Sequence, residues 1–230
     1  MKNMKSIKSQ QSGFTLVEIA IVLVIIGLLL GGILKGQELI NSAKVKNMIS
    51  DVRTTQAMVY GYQDKYKSFP GDQTQAQLNG NFSPANTATA GSAGANNGRL
   101  DGDWSDTAGS ESNVVWQHLR LANLATGPTV LGDSNYRPRN ADGGFIGIES
   151  GLSSTGAAAP FIATMTGSFF VCSDGVLGKY AKQIDSTMDD GNGEKGSVRI
   201  VLSAGAARGG SGLANSAIVD GTQYLVCAGF

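Results

Sequence analysis

The chain has 230 residues, enough to bury about 70 % of its unfolded surface in one sizeable domain, or in a smaller one with an appendage. Eighteen basic side chains balance eighteen acidic ones and only 16 % of residues are charged, so composition does not indicate nucleic acid as a partner. One histidine and two cysteines exclude most multi-ligand zinc, haem and iron–sulfur sites, and 32 glycines argue against a compact helical bundle.

Residues 1–13 contain Lys2, Lys5 and Lys8, no acid and little apolar bulk. From Phe14 to Leu34 the chain is apolar and, rising 1.5 Å per residue as a helix, spans roughly the 30 Å of a bilayer core. A single-pass anchor with a cytoplasmic N-terminus and a cleaved secretory signal are the two ordinary explanations. The run exceeds the 7–15 residues usual for a signal core, and no convincing A-x-A site follows it. It also holds one charge, Glu18, near its start. A carboxylate in lipid costs a few kcal/mol, so it is expected to have a partner or a task. A cut between Gly13 and Phe14 would place a free amine one helical turn from Glu18, or against it across packed helices.

The basic leader, Gly13 and the run Phe14-Thr15-Leu16-Val17-Glu18 resemble the cleavage and methylation motif of type IV prepilins and type II secretion pseudopilins. The resemblance is strongest over residues 1–70. It implies that a prepilin peptidase cuts after Gly13 and methylates the new amine of Phe14. It also implies that Glu18 pairs with a neighbour's N-terminus during filament assembly. One departure is visible: many major pilins carry proline where Lys35 stands, whereas Gly27, Gly31, Gly32 and Gly36 occupy this region here. These glycines either soften the helix or allow close packing.

Beyond Leu34 the pattern becomes amphipathic over 35–68. Val45, Ile49, Val52, Val59, Tyr62 and Tyr66 form one stripe, with Lys44, Lys46, Asp51, Arg53, Asp64 and Lys65 between them. The helix is expected to reach about Lys67, where Phe69-Pro70-Gly71-Asp72 stops it. Its stripe requires cover, either from a head domain or in a coiled coil. Residues 73–98 carry no charge and read as a long surface loop. Residues 111–124 read as a short helix with Val115, Leu119 and Ala122 on one face and Trp116 beside it, and His118 reads as a surface or half-buried helix residue rather than a catalytic one.

Short β-branched or aromatic runs bounded by glycine predict strands at 145–148, 168–173, 197–203 and 222–227, with a helix from about Gly178 to Met188. Together these elements predict an α+β head, residues 69–230, with an antiparallel sheet against which the helix lays its stripe, as in pilins. Cys172 and Cys227 fall in two of the strands. In a head outside the cytoplasm, as the resemblance implies, a disulfide is the simplest state; two buried thiols are the alternative.

Two acidic clusters, Asp101/Asp103/Asp106 and Asp189/Asp190/Asn192/Glu194, offer oxygen ligands for calcium, which some pseudopilins bind in the head. Neither completes an EF-hand spacing, and turns use these residues for backbone reasons. Gly191 to Gly196 matches G-x-G-x-x-G, but helix then strand is the reverse of a dinucleotide site, so the segment reads as a turn. With no P-loop, serine elbow or H-E-x-x-H, an enzyme is not expected.

The expectation is therefore a pilin-like subunit of a type IV pilus-type filament, made with leader 1–13 and held by 14–34 in the bacterial inner membrane with a periplasmic head. Its partners would be prepilin peptidase, the bilayer, the inner-membrane assembly machinery, and copies of itself or other pilins. The filament would be periplasmic or at the cell surface. A type II secretion pseudopilin, a minor tip pilin, and an anchored binding domain that never polymerises are the alternatives.

Overall fold

A computed structural model describes residues 13, 15–82, 88–91, 96–107, 109–151 and 160–230. They fall into two units, one ending at Ser42 and one running Ala43–Phe230, and helix α1 (Leu16–Tyr66) contributes to both.

In the first unit, α1 passes through Gly27, Gly31, Gly32 and Gly36 without interruption. Every residue from Leu16 to Lys35 is exposed. Near the end of this unit, Lys35 pairs with Glu38 at 2.7 Å along the helix surface.

In the second unit the remainder of α1 buries Val45, Met48, Ile49, Val52, Thr55, Val59 and Tyr62, the 3.6-residue stripe that the sequence predicts. Lys44, at the edge of the stripe, bonds Asp142 at 2.8 Å. The helix ends at Tyr66, followed by Lys67 in the left-handed region and by Pro70. Gly71 then turns with φ +104°, and a Cβ there would come 2.6 Å from the Glu111 carbonyl oxygen, so only glycine fits.

Among the described residues of 73–98, the chain is not the plain loop that its composition suggests; 83–87 and 92–95 lie outside the described residues. Helix α2 (Gln75–Asn81) opens on a capping box: the Thr74 hydroxyl accepts from Gln77 N–H, and the Gln77 side chain accepts from Thr74 N–H at 2.9 Å. Leu78 on this helix and Phe82 after it are buried. Helix α3 (Glu111–Leu121) is likewise not one-sided, since every residue from Glu111 to Arg120 is buried.

Four strands, β1 (Ile146–Glu149), β2 (Phe170–Leu177), β3 (Val198–Leu202) and β4 (Gln223–Gly229), form an antiparallel sheet in the order β1-β2-β4-β3. Helix α4 (Gly178–Met188) makes the crossover from β2 to β3, and β4 lies between those two strands. Alternation along the strands serves two apolar faces. Val171, Val176, Ile200, Tyr224 and Val226 join the α1 stripe and residues of α3 and α4 in one cluster. On the reverse face Phe170, Val201 and Leu225 pack beneath Trp104, Phe161 and Met165. The α+β class agrees with the prediction; burial of both sheet faces is additional to it.

Candidate functional site

The start of α1 has defined geometry. Thr15 N–H and Thr15 Oγ1 both donate to Glu18 Oε2, at 2.8 and 2.7 Å, while Glu18 N–H donates back to Thr15 Oγ1 at 3.3 Å. This reciprocal arrangement is a capping box, satisfying backbone donors that would otherwise lie open at the helix start. Glu18 also sits at the positive end of the helix dipole. One of its oxygens serves its own helix and the other remains at the exposed surface. Gly13 is exposed as well; Phe14 and leader residues 1–12 lie outside the described residues. α1 is long and apolar enough to cross a membrane, and its apolar window is wholly exposed.

Cys172 and Cys227 face each other in the β2/β4 register and are joined in a disulfide on the sheet face beneath Trp104.

The two acidic clusters behave differently. In the first, Asp103 pairs with Arg208, Asp106 accepts from Asp103 N–H at 3.1 Å, and Asp101 accepts from the Asn97 amide at 3.1 Å. Arg208 also reaches Glu149, 3.1 Å away on β1. Glu149 is fully buried and accepts from the N–H groups of Trp104 and Phe161; burial pushes its carboxyl up to about 7 against the pull of Arg208. In the second, Asp189 and Asp190 converge with Asp185, a residue outside the sequence-predicted set, whereas Glu194 is not part of the group. Burial pushes the Asp185 carboxyl up to about 6, with Asp190 and Asp189 adding to the rise. Asp190 Oδ1 accepts from Asn192 N–H, which accounts for Asn192 as a turn residue. The segment Gly191 to Gly196 connects α4 to β3, as the helix-then-strand order requires.

His118 is fully buried, not at the surface or half-buried as expected. Gly71 N–H donates to Nδ1 at 2.8 Å, which makes Nε2 the protonated nitrogen, facing the Thr89 carbonyl at 2.9 Å. Burial holds its pKa down to about 4, so the ring is neutral, and with both nitrogens committed it has nothing to offer a substrate. Glu111, also buried, accepts from Asp101 N–H at 2.8 Å and is pushed up to about 8 by burial, with Asp72 and Asp101 contributing.

Residues 8–34 match the family model described as "Prokaryotic N-terminal methylation motif". No curated protein matches the chain. The matched segment contains the capping box and the exposed apolar part of α1, pointing to membrane anchoring and to a structural subunit rather than an enzyme. This chain carries the N-terminal methylation signature of the type IV pilins and pseudopilins.

Proposed function

We propose that this protein is a structural subunit of a type IV pilus-type filament, cut after Gly13, methylated on Phe14 and polymerised through α1. The observation that carries this reading is the matched motif on a helix whose residues from Leu16 to Lys35 all lie exposed. Such a surface needs lipid before assembly and neighbouring helices after it. Glu18 suits both settings: Oε2 caps its own helix, and the second oxygen is available to the amine of a neighbouring copy. In this reading prepilin peptidase and the inner-membrane assembly machinery act on the chain, and the head is periplasmic until the filament forms. A type II secretion pseudopilin would share every one of these features, and the pilus reading is separated from it by where the filament is found.

The test is the N-terminus and intact mass of protein from native membranes, with and without prepilin peptidase. A chain beginning at N-methylated Phe14 only when the enzyme is present supports the reading. An unprocessed chain in both strains makes this an anchored domain that does not polymerise. With processing established, Glu18→Ala is expected to be cut normally yet to yield at least tenfold less filament by shearing and immunoblot.

A further inference from the structure

We propose that the head carries a binding site for a small hydroxylated carboxylate, a sugar acid being the simplest example, in the cavity bordered by Arg99, Ser150 and Ser168. The cavity has a volume of about 400 Å³, within the range of small-molecule sites. Among the described residues that line it, Arg99 is the one charged side chain and none is acidic. Arg99 is exposed, and no hydrogen bond or ion pair among the described residues engages its guanidinium.

Two hydroxyls stand with this cation. Ser150 Oγ is buried and has no hydrogen-bond partner, which costs free energy. A change of rotamer about Cα–Cβ turns it towards the cavity that Ser150 lines, where a ligand oxygen would satisfy it. Ser168 is exposed, and its hydroxyl is likewise uncommitted among the described residues. A guanidinium fork matches a planar carboxylate through two parallel hydrogen bonds, and the serines suit hydroxyl groups on the body of the same ligand. Phe69, Pro160, Met165 and Phe170 add apolar wall for its C–H face. The acids close in sequence lie outside the lining and are engaged: Asp72 accepts from the N–H groups of Asn97 and Gly98 at 2.9 and 2.7 Å, and Asp101 from the Asn97 amide.

The walls are fixed before a ligand arrives. Ser150 N–H donates to the Leu100 carbonyl at 3.3 Å, and Ser168 N–H to the Phe230 carbonyl at 2.5 Å. Gly151 has φ +78°, and a Cβ there would lie 3.2 Å from the Pro160 nitrogen, so glycine keeps this corner tight. Thr164, β-branched yet at φ +62°, is held by Arg199, which donates to its hydroxyl at 2.6 Å and to the carbonyls of Ala163 and Thr164 at 3.1 and 3.2 Å. Such strain persists only where the surroundings over-determine it, and here it shapes the segment that delivers Met165, Gly167 and Ser168 to the cavity.

The experiment uses the full chain in detergent, titrated calorimetrically with sodium glucuronate, with glucose and with sodium phosphate. One glucuronate per chain with Kd of about 10⁻³ M is expected, as suits a small ligand with few polar contacts. Glucose, which lacks the carboxylate, and phosphate, which lacks the hydroxylated body, should each bind at least tenfold more weakly. Arg99→Gln alters an exposed side chain and should weaken glucuronate at least tenfold while leaving the circular dichroism spectrum unchanged. Lys195→Gln, outside the cavity, should leave binding as it was. Absence of glucuronate binding up to about 50 mM overturns the proposal, as does equal binding by the wild type and Arg99→Gln. Phosphate binding as tight as glucuronate would reduce the site to a bare charge contact and also overturns it. N-terminal processing is read separately by mass, so failure of this site and failure of the filament reading are distinguishable.

Discussion

Between Leu16 and Lys35, α1 is almost wholly apolar and every residue is exposed; α3 carries Glu111, Ser112, Asn113, Gln117, His118 and Arg120, and all six are buried. In α3 most of the polar groups have partners. Arg120 donates to three carbonyls, of Thr126, Pro128 and Tyr136, at 3.1, 2.7 and 2.6 Å. Gln117 accepts from Thr89 N–H and donates to the Thr129 carbonyl, and Tyr136 Oη bridges Gln117 N–H and the Asn113 carbonyl. The two ends of the pH scale are handled by neutrality, with Glu111 protonated and His118 deprotonated near pH 7. The Leu16–Lys35 stretch of α1 contains little that water can hydrogen-bond, and an apolar surface such as lipid suits it. Polarity alone therefore assigns neither helix to its environment; the supply of partners does.

The contrast predicts unequal costs for comparable truncations. Arg120→Met leaves the buried Tyr136 carbonyl and the part-buried Thr126 and Pro128 carbonyls without this donor, and is expected to cost about 2–3 kcal/mol in urea unfolding of the full chain in detergent. Leu28→Ala, at a position 73 % exposed, should change the same transition by no more than about 0.5 kcal/mol. Equal losses would mean that the exposed helix is covered in the isolated protein.

Protonation offers a second test. The folded pKa of Glu111 lies above the ordinary value of 4.5, so its contribution is complete below pH 4.5 and is lost as pH rises through about 8. Glu111→Gln should recover on the order of 3–4 kcal/mol at pH 9 relative to pH 5, seen as a flatter melting temperature across that range. His118 acts in the opposite sense: its folded pKa is depressed, so its contribution is complete above pH 6.5 and is lost as pH falls through about 4, by about 3 kcal/mol. His118→Gln should flatten the acid limb only. The smallest effect is expected at the helix start, where Thr15→Val removes the cap at a cost of about 1 kcal/mol and speeds amide exchange at Leu16 to Glu18 about fivefold.

Much of the fold is legible in the sequence because its elements have strong periodicity: the α1 stripe, the four glycine-bounded strands and α4 all follow from local pattern. What escaped has a common physical cause. Thr15-x-x-Glu18 and Thr74-x-x-Gln77 are the same capping signal. The first lies inside a processing motif, and the second inside an uncharged, low-complexity stretch. His118, Glu111 and Glu149 escaped because their burial depends on backbone donors and acceptors brought from distant segments, which no local spacing records. Asp185 lies inside the last turn of α4 and Asp189 just beyond its end, so nothing local marks the helical residue as a neighbour of the acidic turn.

The position of β4 bears on when the head can form. β4 follows the other three strands in the chain but lies between β2 and β3, and it carries Cys227, the partner of Cys172. Until Gln223–Gly229 has been made and delivered, β2 and β3 have no shared neighbour, the reverse-face cluster lacks Leu225 and Cys227, and the cross-link cannot close. α1, made first, can enter the bilayer long before that. A ribosome that stalls short of β4 thus leaves a chain with an open gap in the middle of its sheet, conspicuous to proteases, instead of a slightly shortened but closed head.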